Sequence, residues 1–138
     1  MRYKYLSLAF IYFLCSTGIF SAKENRLETG TEVILTGQIR RGIYLSRDSS
    51  SDIEYMNESY NLFVKEPINV TDISKDGKIY GNINHFEIIN YHEFNIKTTD
   101  EHEITVRGKI GVFSPRNGYS RQYSTPVYLR ITEIISGK

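Results

Sequence analysis

The octapeptide E-V-I-L-T-G-Q-I at Glu32–Ile39 returns as E-I-T-V-R-G-K-I at Glu103–Ile110. Both fit E-[VI]-x-[LV]-x-G-x-I, and both run on to a glycine, a β-branched residue and an aromatic: Gly42-Ile43-Tyr44 and Gly111-Val112-Phe113. Val33, Leu35, Gly37 and Ile39 fall on one face at period two, as do Ile104, Val106, Gly108 and Ile110, which is the pattern of a half-buried strand. A glycine inside such a strand marks a bulge or bend. A strand bent midway can serve two halves of a closed barrel. The repeat therefore predicts two like walls of a small β fold. Gly37 and Gly108 would bend them, and Val33, Leu35, Ile104 and Val106 would fill the interior. It is scaffold, and function belongs to the loops beside it.

The rest of the chain reads as short strands and turns. Arg47–Asn57 is a serine- and aspartate-rich loop. Tyr60, Leu62 and Val64 alternate against Asn61, Phe63 and Lys65 in a second strand that Pro67 ends. Asn69–Lys78 is turn-rich, with the hairpin dipeptide Asp76-Gly77. Lys78–Ile89 is a third strand region whose apolar parity changes partway, which suggests either a bulge at Gly81 or an element boundary within it. Tyr91–Asn95 suits a short helical turn. After the second repeat comes a loop over 114–123, then a last strand from Pro126 with Val127, Leu129 and Ile131 on one face. Five strands, the first and fourth glycine-bent, predict an all-β fold: a small five-stranded OB-like Greek-key barrel, in which strands one and four are neighbours. An SH3-like barrel and a small sandwich are the alternatives.

The N-terminus reads as a secretory signal peptide over 1–22. Arg2 and Lys4 precede the apolar run Leu6–Leu14, and Ser21-Ala22 offers a cleavage point. An uncleaved anchor and lipidation at Cys15 are the alternatives. Residues 23–31 form a flexible lead-in, 32–134 the barrel domain and 135–138 a tail. Cys15 is the single cysteine, so the mature chain has no disulfide to rely on. Removing the signal leaves fifteen basic and sixteen acidic residues, a net charge of about −1. A nucleic-acid partner would call for a basic excess. No stable membrane insertion is expected once the signal is cleaved, and the protein is expected to be periplasmic or secreted.

The run V-R-G-K-I at 106–110, followed by S-T-P-V-Y-L-R-I-T-E-I from Ser124 to Ile134, resembles a bacterial exported family of unknown function built on an OB-like domain. V-I-L-T-G-Q-I at 33–39 and F-V-K-E-P-I at 63–68 carry the same likeness, which covers about 32–134. Members often place histidines just before Thr-Pro, where this chain has Tyr123-Ser124. Any property of those histidines is not carried over. The resemblance implies fold and export and no particular activity.

In an OB-like barrel the loops after strands one and four border the ligand face; here these are 46–57 and 114–123. The second carries Arg116, Asn117, Tyr119, Arg121 and Tyr123, whose rings stack on sugars or bases and whose guanidinium groups bond in planar pairs. The plainer reading is a solvated hairpin around Asn117-Gly118. Eight tyrosines remain after the signal, and Tyr44, Tyr60 and Tyr128 suit cross-strand packing. His85, His92 and His102 form no metal-ligand spacing. No nucleophile elbow, zinc-protease helix or phosphate loop is present, and Asp100, Glu101 and Glu103 suit a solvated loop. Asn57 and Asn69 match glycosylation acceptors by pattern alone. The expectation is a non-enzymatic module, with no cofactor or metal, that binds an unknown protein or glycan. The alternative is an envelope-associated protein that docks a partner by strand addition. A small hydrolase has no motif behind it.

Overall fold

A computed structural model describes residues 26–48, 50–99, 101–114, 119–121 and 124–137. The proposed signal peptide and Cys15 lie outside them. The described chain is all-β, with seven strands in one sheet: β1 (Arg26–Glu28), β2 (Glu32–Asp48), β3 (Ile53–Asp72), β4 (Lys78–Ile88), β5 (Ile104–Val112), β6 (Tyr119–Arg121) and β7 (Val127–Ser136). Its two helical pieces are single 3-10 turns, Ile73–Lys75 and Tyr91–Phe94, the second where a short helical turn was expected. No helix among the described residues is long and apolar enough to cross a membrane.

β2 is the strand on which the sheet turns. Glu32–Gly37 pairs antiparallel with β5, and Gly37–Asp48 pairs antiparallel with β3. Gly37 thus faces Ile104 on one side and Val64 on the other. A Cβ at Gly37 would run into the Phe63 carbonyl, with the Phe63 carbonyl carbon 2.8 Å away. One at Gly108 would meet the Arg130 carbonyl, where the β5–β7 register shifts. Both glycines stand where a neighbouring backbone approaches too closely for any side chain. β3 also pairs with β4, β4 in parallel with β7, and β7 antiparallel with β5. Each of the five long strands therefore pairs with two other long strands, β2 and β3 each taking a short strand as well, and the two repeated octapeptides lie side by side.

The buried faces follow the period-two pattern. Val33, Leu35 and Ile39 from β2, Leu62 and Val70 from β3, Phe86 and Ile88 from β4, Ile104, Val106 and Ile110 from β5, and Val127, Leu129 and Ile131 from β7 form one core.

Several boundaries differ from the sequence reading. The stretch read as a loop at 47–57 is largely a hairpin. β2 continues to Asp48, β3 starts at Ile53, and Leu45 faces Met56. Arg41–Glu58 and Arg47–Asp52 ion pairs stitch the ribbon, and Asp52 takes the positive φ that the turn needs. Polar composition hid a strand whose faces are mostly solvated. β3 also runs through Pro67. Residues 64–67 have no β4 partner, so the missing proline N–H costs no ladder bond there. The expected bulge in β4 is present: Gly81 and Asn82 face a single residue of β3, with Asn82 at φ 55°. In the stretch read as a lead-in, Arg26–Glu28 pairs in parallel with Asn69–Thr71. Thr29 then holds it, its N–H donating to the Thr71 carbonyl at 3.0 Å and its hydroxyl to Asp72 at 3.3 Å.

Candidate ligand-binding face

Residues directly opposite one another in a sheet point to the same side. On the face of β2, β3 and β4 turned away from the core, the register sets Gln38, Phe63 and His85 in one row and Arg40, Asn61 and Glu87 in the next. Gly42 faces Ser59, and Tyr44 faces Asn57. Ile39 and Leu62, one residue away on the opposite face, are fully buried. A cleft of about 560 Å³ on this face is lined by Arg40–Tyr44 of β2, by Ser59, Asn61 and Phe63 of β3, by His85 and Glu87 of β4, and by Ser124 from the segment before β7.

The floor is polar and covered. Asn61 is 5% exposed, and Ser59 and Glu87 are each 7% exposed. The Asn61 amide donates to Ser59 Oγ at 3.2 Å, and its Oδ1 has no hydrogen-bond partner. A buried acceptor without a donor costs about 1–3 kcal/mol. Gly42 leaves this floor open: a Cβ there would stand 2.9 Å from Ser59 Oγ and 3.5 Å from Asn61 Nδ2.

One wall is planar. The Phe63 and His85 rings stack at 4.7 Å between centroids and 12° between planes. The Arg40 guanidinium lies 4.6 Å from the Phe63 centroid and donates to Gln38 Oε1 at 3.2 Å. His85 is tied at both nitrogens, Nδ1 to Asn84 Oδ1 at 2.6 Å and Nε2 to Ser124 Oγ at 3.3 Å. Burial in this wall holds the imidazole below the ordinary histidine range, with a hydrogen bond to Ser124 pulling the other way. The neutral ring is thereby favoured. Toward the hairpin, Asn57 Nδ2 donates to Ser46 Oγ at 2.9 Å.

Of the residues singled out in the 114–123 segment, Arg116, Asn117 and Tyr123 lie outside the described residues. Tyr119 and Arg121 lie in β6, opposite Asp48 and Ser46 at the end of β2. The segment read as a loop thus includes a short strand paired with the end of β2. Sequence reasoning passed over Arg40, Gly42, Asn61 and Phe63, although their shared parity on two strands was available. It noted His85 only as one of three histidines without metal-ligand spacing, and it gave Glu87 no role. Among the described residues no group of three or more His, Cys, Asp or Glu is placed to hold a metal ion.

The far side of the hairpin is different. Ile43 is 68% and Met56 78% exposed, with Leu45 exposed between the Arg41–Glu58 and Arg47–Asp52 ion pairs. Among the described residues, 53–60 of β3 pair only with β2.

Comparison with known proteins finds no matching family model, no matching curated sequence and no matching solved structure.

Proposed function

We propose that this chain is an exported OB-like barrel that binds a protein or glycan without catalysing a reaction. The ligand lies on the β2–β3–β4 face, bordered by 46–57 and 114–123. The barrel reading is supported by the pairing order β2–β3–β4–β7–β5–β2, by the long shared strand β2, and by the parallel contact between the third and last long strands. The export reading rests on the N-terminal pattern. The observation that carries the binding reading is the buried, open-topped floor at Ser59, Asn61 and Glu87 under a stacked ring wall. Ligand sites combine apolar or planar walls with a few placed polar groups in this way. The test is a joint screen of the mature protein against immobilised oligosaccharides and a displayed-peptide library. Binding that weakens in Phe63→Ala and in a triple Arg116, Tyr119 and Arg121 to alanine variant supports the reading. Binding indifferent to all of them places the site elsewhere.

A second reading is favoured by the open edge at 53–60 and the exposed Ile43, Leu45 and Met56 beside it. There a partner would add a strand to β3, as extended segments do at sheet edges. A proline at Met56 would abolish such docking and leave cleft binding intact.

A further inference from the structure

We infer that the open edge of β3 at Ile53–Glu58 takes an extended segment of another protein, with a large apolar side chain opposite Met56 and basic side chains opposite Glu54 and Glu58. This rests on the strand-addition reading above and names the chemistry of its partner.

The edge is built as a template. β2 and β3 pair without a register shift from Gly37–Val64 to Asp48–Ile53. Among the described residues, β4 joins β3 only from Asn61 onward, and the Tyr60 ring lies 4.7 Å from that of Tyr91. The stretch left between the turn and that contact is about the length of a common strand. Sheet edges are ordinarily blunted by lysine, proline or a bulge. Ile53–Glu58 has none of these.

Its two sides differ in what they ask of a neighbour. Beyond Ile39 and Leu62 the core side of the ribbon continues through Ile43, Leu45 and Met56, which are exposed. An incoming strand would lay its own apolar side chain on this outlying patch. Its nearest cross-strand neighbours on that side are Glu54, Met56 and Glu58. Arg41 reaches Glu58 from β2, whereas Arg47, opposite Glu54, pairs with Asp52 instead. Glu54 is thus left without an ion pair among the described residues. The other side presents Ile53, Tyr55 and Asn57, which carry no charge. Residues 41–58 together hold two arginines against four acidic residues. The complementary strand therefore alternates basic, neutral, apolar, neutral, basic. That order reads the same in both directions, so it holds for a parallel or an antiparallel partner.

A second copy of this chain is a poorer match. Antiparallel self-pairing centred on Met56 sets Glu54 against Glu58 twice, and like charges directly opposite destabilise. The adjacent registers that keep the faces aligned set Met56 against Glu54 or Glu58.

The experiment titrates the full-length protein with two synthetic peptides, T-K-T-L-T-K-T and its acidic twin T-E-T-L-T-E-T. Fluorescence polarisation reads affinity, and backbone amide shifts read location. Glu54→Lys and Glu54→Gln variants, altered at an exposed side chain, are measured beside the wild type. The expected result is preference for the basic peptide, with shifts at 53–58 and binding that weakens as salt is raised. Glu54→Lys should weaken that binding about fivefold or more and should gain affinity for the acidic peptide. Glu54→Gln should fall between. Equal binding of both peptides at this edge, preference for the acidic one, or a preference untouched in Glu54→Lys overturns the basic class and leaves strand addition standing. Self-association that shifts 53–58, with neither peptide bound, overturns the partner in favour of a second copy. No peptide binding and no self-association at 53–58 overturns both the inference and the strand-addition reading.

Discussion

The Asn90 side chain pairs with the backbone of Ile131 as a neighbouring strand would. Its Oδ1 accepts from the Ile131 N–H at 2.9 Å, and its Nδ2 donates to the Ile131 carbonyl at 2.8 Å. The parallel β4–β7 ladder holds just two register pairs, Glu87 with Tyr128 and Ile88 with Leu129. The carboxamide continues that ladder after β4 has turned away, and Asn90 is 2% exposed.

Replacing Asn90 by leucine orphans two buried backbone groups of β7. Each carries a penalty of about 1–3 kcal/mol, so the variant should lose roughly 2–4 kcal/mol. Urea unfolding checks this, as a lower midpoint at unchanged slope. Asn90→Asp should recover part of the loss, because an oxygen still faces the Ile131 N–H.

Gly37→Ala and Gly108→Ala should each destabilise by about 3 kcal/mol. The added methyl meets the Phe63 or Arg130 carbonyl, which belongs to a paired strand and has nowhere to move. The same exchange at Gly42 should cost well under half as much by thermal unfolding, since it meets a side-chain hydroxyl. Equal losses at all three positions would mean that backbone approach is not what selects glycine here.

Burial lowers the His85 pKa, which fixes the sign of a pH effect. Above the ordinary histidine value of about 6.5 the ring is neutral in folded and unfolded chains alike, and its contribution is unaffected by pH. As pH falls below that value the unfolded chain takes up the proton first, so stability declines toward the lowered folded value. The hydrogen bond to Ser124 opposes the effect of burial in part. His85→Gln should flatten the decline in melting temperature below about pH 6.5.

Asp72 behaves in the opposite sense. Its carboxylate accepts from the Ser74 hydroxyl at 2.6 Å, the Ser74 N–H at 3.0 Å and the Thr29 hydroxyl at 3.3 Å, which holds its pKa below the ordinary range, the Ser74 hydroxyl contributing most. The stabilisation is complete above the unfolded value of about 3.9 and is lost as pH falls through the lowered folded value. Asp72→Asn should lower the melting temperature at neutral pH and remove part of the loss seen in acid. Exchange of the Thr29 amide, bonded to Thr71, should quicken in the same variant.

The core was legible because period two is a local signal: Val33, Leu35, Ile104 and Val106 point inward as their alternation requires. The adjacency of the repeated octapeptides followed from counting strands. The hairpin was not legible, because Ile53, Tyr55 and Met56 are all exposed and fall on both faces, so Arg47–Asn57 has no buried apolar face to show. Its ladder is held by backbone bonds and ion pairs, which leave no period in hydropathy. The floor of the cleft was illegible for a related reason. Asn61 and Glu87 are polar residues on what reads as a solvent face, and only the register between strands shows that they share a row and that Gly42 stands over it. Loop composition drew attention to Arg116, Asn117 and Tyr123, whereas Arg40, Phe63 and His85 meet only through pairings far apart in sequence.

The sharing of β2 between two partners has a dynamic corollary. Toward Glu32 it is held by β5, where Val33 and Leu35 are buried in the core, and an opening there must breach that core. Beyond Gly42 the ribbon is held by β3 and, at its tip, by the three-residue β6. Opening free energy should therefore be graded along a single strand, high at Val33–Ile39 and low at Ile43–Asp48. In amide-exchange terms, the cleft has a fixed floor and an adjustable lip. A ligand that protects the lip from exchange would do so by ordering residues whose opening leaves the core untouched.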